Sequence, residues 1–245
     1  NTEGTECRSF RQVIVTHPLD APLTAITAVD DFDGADQPPW SWDEGKIAFQ
    51  AFPDGPLNRA QIYVMNRDGS GVTQLTSVAK GQNSARVPSW SPDNSHIVYV
   101  SDVERSSWDI WIMKSDGSDQ RNLTQGRVKF PNGPTFSPDG RRILLYASDN
   151  DPLTERRGGP DSELWIMDVN GTGLAKITDN EIDDERPVWG LNGLDVIYSA
   201  GKDTWQAANV FNAEKLCEFP GVARGRYVSP VLAATEHVLV PTEEA

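Results

Sequence analysis

The chain has 245 residues, 38% of them hydrophobic, with 8 Trp, 8 Phe and 5 Tyr, and a formal net charge of -14. That is enough apolar surface to build one core, while no apolar run reaches the roughly 18–20 residues that a membrane-crossing helix requires. The acidic balance repels a phosphate backbone and argues against nucleic-acid partners, which leaves cations, cationic proteins and neutral sugars as easier ligands.

From the N-terminus, residues 1–10 are polar and irregular, and residues 12–16 read as a short strand that continues through turn residues into a second apolar stretch ending at Thr27. The chain begins at Asn1, as a processed secreted protein or a trimmed chain would. Next comes Pro38-Pro-Trp40 leading to Ile47-Ala-Phe49, and this unit recurs as Pro88-Ser-Trp90, Pro134-Thr-Phe136, Pro187-Val-Trp189 and a decayed copy at Pro230. The leading prolines are 43 to 53 residues apart, a period that marks a propeller or solenoid. A second unit follows each copy: residues 62–65 lead to Leu75-Thr76, 110–113 to Leu123-Thr124 and 164–167 to Ile177-Thr178. In each the first apolar residue and the last one before Thr are 13 positions apart, as are Val13 and Ile26.

Each full repeat therefore holds four antiparallel strands. Ser91-Pro-Asp-Asn94 and Ser137-Pro-Asp-Gly140 are tight turns between strands one and two, and Asp68-Gly69, Asp116-Gly117 and Asn170-Gly171 are tight turns between strands three and four. The N-terminus carries the second half of a repeat, and the C-terminal copy at 230–240 carries a first half. The expected architecture is a single all-β domain over residues 1–245, a five-bladed β-propeller whose closing blade joins 230–245 to 12–27 and so hides its sheet edges. A monomer is expected. One face of this ring has only short turns. The other carries the long segments 51–60, 101–107 and 147–162 and the inter-blade crossings 28–37, 77–87, 125–133 and 179–186, so binding is expected there and at the channel mouth.

Trp-Ser-Pro-Asp-Asn at 90–94, Ile-Trp-Ile-Met-Lys-Ser-Asp-Gly at 110–117 and Leu-Thr at 123–124 resemble the TolB-like, WD-like β-propeller repeat, over about four fifths of the chain. The resemblance implies the fold and says little about activity, since related propellers are also attached to prolyl peptidases. Five blades resembles instead the blade number of certain glycoside hydrolases and some lectins.

Asp30-Asp-Phe-Asp33-Gly-Ala-Asp36 is the densest carboxylate cluster at a crossing, and oxygen ligands around a turn glycine are what calcium needs. Asp31, Asp33 and Asp36 are the candidate ligands for the one cofactor suggested, and a solvated acidic loop is the alternative. The crossing at 179–185 is equally acidic, so Asp36 and Glu185 are candidate glycosidase-like carboxylates if they face each other. Lys80, Arg86, Arg127 and Lys129, with Arg224 and Arg226 and the acidic Asp184 and Glu185, would give the mouth a mixed charge for a polar ligand or the C-terminus of a partner; surface balance is the competing reading. Trp108 and Trp205 break the repeat at the ends of long loops, where an exposed indole would stack on a sugar; packing is the default. Trp40, Trp90, Phe136 and Trp189 hold one repeat position, and Trp111 and Trp165 another, as core residues would.

Cys7 and Cys217 are the only cysteines, and neighbouring blades would bring them together in a disulfide, which implies an oxidising compartment, extracellular or periplasmic. No Gly-x-Ser-x-Gly elbow and no His-x-x-x-His pair occurs. Three functions are expected in turn: a non-catalytic scaffold that binds a protein or glycan, a carbohydrate-active enzyme, or a structural propeller cut from a larger protein.

Overall fold

The computed structural model describes residues 15–16, 24–25, 35–36, 38–53, 59–77, 84–103, 108–148, 162–190, 192–201, 204–209 and 215–220, the short segments before 38 and after 203 by their backbone. Every regular element among them is a strand. A hairpin of β1 (Val15–Thr16) and β2 (Thr24–Ala25) comes first. The first blade is β3 (Ala35–Asp36), β4 (Lys46–Ala51), β5 (Gln61–Asn66) and β6 (Thr73–Gln74). The second is β7 (Ala85–Trp90), β8 (His96–Ser101), β9 (Asp109–Lys114) and β10 (Arg121–Asn122). The third is β11 (Asn132–Phe136), β12 (Arg142–Ser148), β13 (Ser162–Asp168) and β14 (Ala175–Lys176). The fourth is β15 (Asp184–Trp189), β16 (Asp195–Ala200), β17 (Thr204–Asn209) and β18 (Lys215–Pro220). Each blade is a four-stranded antiparallel meander in chain order. The hairpin falls where the second half of a closing blade is expected; residues 230–240, its expected first half, lie outside the described residues.

Strict alternation along each strand explains why the blades stack. In β8, Ile97 and Tyr99 point into the core shared with the first blade, beside Ile62 and Trp90, while Val98 and Val100 point into the core shared with the third, beside Phe136 and Ile143. β9 repeats the division, with Trp111 and Met113 on one side and Ile110 and Ile112 on the other. Leu144 and Leu164 meet Trp189 and Tyr198 of the fourth blade. Trp90, Phe136 and Trp189 are buried at the repeat position expected of core residues.

The recurring motifs are hydrogen-bonding devices. In Ser91-Pro-Asp93 the Ser91 hydroxyl donates to Asp93 Oδ1 at 2.6 Å and accepts from the His96 amide at 2.9 Å, fixing the turn into β8. Ser41 with Asp43 and Ser137 with Asp139 do the same. The two Ser91 and Ser95 hydroxyls hold the Asp93 carboxyl down at about 2, and Asp43 and Asp139 are lowered by the same kind of bond. The outer strands β6, β10 and β14 are only two residues long because the Thr after each substitutes its side chain for a backbone carbonyl. Thr124 Oγ1 accepts the Ile110 amide at 2.9 Å, as Thr76 does for Ile62 and Thr178 for Leu164.

Gly171 (φ 86) lies at the β13–β14 turn, and a Cβ there would come within 2.8 Å of the Leu123 carbonyl oxygen of the preceding blade. That obstacle is backbone and cannot swing aside. Gly171→Ala is expected to destabilise the chain by about 2 kcal/mol, from the left-handed φ and the overpacking together. A urea titration checks it; a midpoint equal to that of the unaltered chain would refute the account.

Candidate functional site

The four inner strands start on the loop-rich face, and their register defines one equivalent position there. Asp36 pairs with Gln50, Arg86 with Val100, Asn132 with Tyr146 and Glu185 with Ser199. In blades two to four the next residue forms a bulge in the left-handed region: Val87, Gly133 and Arg186, all at φ 54. A β-branched residue is unfavourable there, so the conformation is imposed by its surroundings. The Val87 amide is turned toward the preceding blade, where it donates to Gln50 Oε1 at 2.9 Å.

Arg86 is half-buried, its guanidinium over the Trp108 ring at 3.5 Å from the centroid. Burial pulls its pKa down from the ordinary value, Asp102 and Tyr146 oppose that, and Arg59 adds to it. Asp102 does not serve Arg86 directly. Its Oδ2 accepts from Arg59 Nη1 at 3.2 Å, in an ion pair between the first and second blades, and its Oδ1 accepts the Ser84 amide at 2.6 Å. Trp108 itself leans on the core between blades two and three, so the stacked pair closes the outer end of that interface.

A second group lies between blades three and four. Glu163 and Asp184 are each 1% exposed. Asn180 bridges them, donating its backbone amide to Glu163 Oε1 at 2.7 Å and its side-chain amide to Asp184 Oδ2 at 2.8 Å. The Thr178 hydroxyl donates to the other Glu163 oxygen. Burial pushes the Asp184 carboxyl up to about 6; the bond from Asn180 opposes the rise, and the charges of Glu163 and Asp183 add to it.

Several expectations change at this point. Asp184, expected on the partner face, is buried instead, because it takes the inward position held by Ala85 in the second blade. Glu185, one residue on, is partly exposed and keeps the mouth position. Trp108 is no open sugar platform, since Arg86 covers its ring. Arg127, expected at the mouth, staples blades two and three by donating to the carbonyls of Thr124 at 2.9 Å, Leu123 at 2.6 Å and Gly171 at 2.6 Å. Lys129 is exposed on the crossing into β11. Asp36 and Glu185 hold equivalent positions in the first and fourth blades, with two blades between them along the chain. Trp205 and Cys217 lie on β17 and β18, Cys217 opposite Ala207. Asp31, Asp33 and Cys7 lie outside the described residues, so the calcium cluster and the disulfide do too, as do Lys80, Arg224 and Arg226. Among the described residues no three His, Cys, Asp or Glu side chains are grouped to hold a metal ion, and no helix is long and apolar enough to cross a membrane. Sequence reasoning passed over Arg59, Asp102 and Glu163; only Glu163 left a signal, its alignment with Asp109 and Gln61 at the start of each third strand.

Antiparallel four-stranded sheets stacked through both faces, with the inner strand of each packed against the preceding blade, define a β-propeller. The chain belongs to the TolB beta propeller domain family, whose profile matches residues 9–214. It is similar to the Tol-Pal system protein TolB of Anaeromyxobacter dehalogenans, 31% identical over 102 residues that cover 42% of this chain and 21% of that one. It is also similar to the uncharacterized peptidase YuxL of Bacillus subtilis, 25% identical over 211 residues, 73% of this chain and 30% of that one. The crystal structure of TolB from Acinetobacter baumannii matches with a TM-score of 0.61 at 22% identity, covering 82% of this chain and 46% of that one. The chain thus spans 21% and 30% of the length of these two curated relatives.

Proposed function

We propose that this propeller is a non-catalytic binding scaffold that holds a protein partner on its loop-rich face, in the periplasm or outside the cell. One observation carries the reading. Positions that build the blades repeat from blade to blade, as Thr76, Thr124 and Thr178 do, whereas the mouth position changes character from Asp36 to Arg86, Asn132 and Glu185. Repetition serves the scaffold, and a position free of the repeat is available for recognition. The similarity to a Tol-Pal system protein is consistent with a partner protein and a periplasmic location. Calcium at Asp31, Asp33 and Asp36 belongs to the same proposal as a stabiliser of the first crossing.

The test is site-specific photo-crosslinking in cell-envelope extract, with the probe at Lys129 on the loop-rich face or at Asp68 on the opposite one. A discrete adduct from position 129 alone is expected. Equal labelling from both positions, or none from 129, would overturn the proposal. Melting the same protein in chelator and then in millimolar CaCl₂ reads the calcium part separately, as a rise in Tm or none.

A further inference from the structure

Arg86 is the charged residue at the mouth position that stacks on an aromatic ring. One face of its guanidinium lies on Trp108, 3.5 Å from the ring centroid. Stacking uses the π face and leaves the five N–H groups around the edge available. Among the described residues none of those N–H groups donates a hydrogen bond, although the side chain is half-buried. Among the described residues the carboxylate that acts on it is Asp102, which is already engaged, giving one oxygen to Arg59 and the other to the Ser84 amide. Arg59, Arg86 and Asp102 together therefore leave one positive charge at this corner of a chain whose net charge is -14.

Resting on the binding reading above, we infer that Arg86, held edge-outward by Trp108, is the carboxylate-recognising element of the mouth and takes a carboxylate of a bound peptide segment in a bidentate pair. A planar fork fixed by stacking is pre-organised for two parallel N–H···O bonds, so little side-chain freedom is lost on binding. Arginine suits this role better than lysine, whose ammonium offers neither the fork nor the stacked plane. The remainder of the partner segment is neutral or basic, because the acidic chain repels additional negative charge and Glu185 holds the equivalent position in the fourth blade. The carboxylate comes from the segment's C-terminus or from an Asp or Glu side chain, and the test separates these sources.

The test is an array of nonapeptides, varied at their central and last positions, each made with a free and with an amidated C-terminus. It is probed with the full chain and with Arg86→Gln and Arg86→Lys, all three first shown by thermal melting to be folded. The unaltered chain is expected to enrich carboxylate-bearing peptides over their Asn, Gln or amide counterparts about tenfold or more, with sodium acetate competing. Loss of the preference on amidation assigns the C-terminus, and loss on Asp→Asn or Glu→Gln exchange in the peptide assigns the side chain. Both protein variants are expected to lose the preference, Arg86→Lys retaining only a weak, salt-sensitive remnant. Peptides captured without carboxylate preference, or with a preference that Arg86→Gln keeps, would overturn this inference and leave the binding reading standing. An array that captures nothing would overturn both.

Discussion

Replacing Asp109 with Ala will lower the stability of the folded chain by about 3–5 kcal/mol, the range for breaking a buried charged network from one side. Asp109 opens β9, is 2% exposed, and gathers three donors from the strand that leaves the blade. Its Oδ1 accepts the Thr124 hydroxyl at 2.6 Å and the Gly126 amide at 2.7 Å, while Oδ2 accepts from Asn122 Nδ2 at 3.1 Å. Removing the carboxylate leaves the buried Thr124 hydroxyl without its acceptor and unties the exposed Gly126 from the start of β9. Thr124 is fully buried and also accepts the Ile110 amide, so Thr124→Val orphans one backbone donor and leaves Asp109 Oδ1 with the Gly126 amide alone, at nearly constant volume. About 2–4 kcal/mol is expected for it. The two changes remove one network, and the double variant should cost well under the sum. Urea unfolding of the four chains gives the cycle. Strict additivity, or a loss under about 1 kcal/mol for Asp109→Ala, would show that the clamp is incidental. The first blade runs the same clamp on neutral Gln61, whose Oε1 accepts from Thr76 at 2.9 Å, so shape and not charge is the common requirement.

The parts of this fold that could be read from the sequence are those whose physics is local. Ser91-Pro-Asp93 announces a turn because a hydroxyl two residues from a carboxylate can close it unaided, and the unbroken apolar run 97–100 announces a strand covered on both faces. The Leu-Thr signature was visible as a repeat, but its purpose was not, since the partner of Thr124 lies 15 residues back on another strand. Asp184 is not legible for a sharper reason. It sits in a run of acids from 179 to 185, and composition says only that such a run prefers water. A shift of a single residue in register decides which of two adjacent acids points into the blade stack, and no composition rule resolves that. Arg59 and Asp102 meet across two adjacent blades from positions 43 residues apart, which only the stacking of one blade on the next brings together.

Asp184→Asn will make the chain more stable above pH 6 and leave it unchanged near pH 4. The ordinary value for the carboxyl is 3.8 and the folded value is about 6, so the folded state binds the proton more tightly than the unfolded chain does. A raised pKa contributes stability in full below the unfolded value, and that contribution is lost as pH rises through the folded one. The window is therefore pH 4 to 6. A shift of this size corresponds to at most about 3 kcal/mol, and relaxation of the surrounding side chains around the charge leaves about 2 kcal/mol. The amide imitates the protonated acid, keeps an oxygen for the Asn180 side chain 2.8 Å away, and removes the repulsion from Glu163 and Asp183. Thermal melts at pH 7.5 should show Tm higher by about 4–8 °C, converging by pH 4.5. The turn aspartates do not blur the comparison. Asp93, held at about 2, loses its contribution only as pH falls below 4, and it is common to both chains. An equal gain at every pH would mean that packing and not ionisation limits the site, and no gain at pH 7.5 would mean that the pair is already relaxed by water. The second blade manages with Ala85 at this position. A carboxylate kept there against stability, one residue from Glu185 at the mouth, is the kind of local conflict that accompanies a working surface. The stabilised variant should then bind the partner more weakly while folding better, a split that photo-crosslinking from Lys129 will read directly.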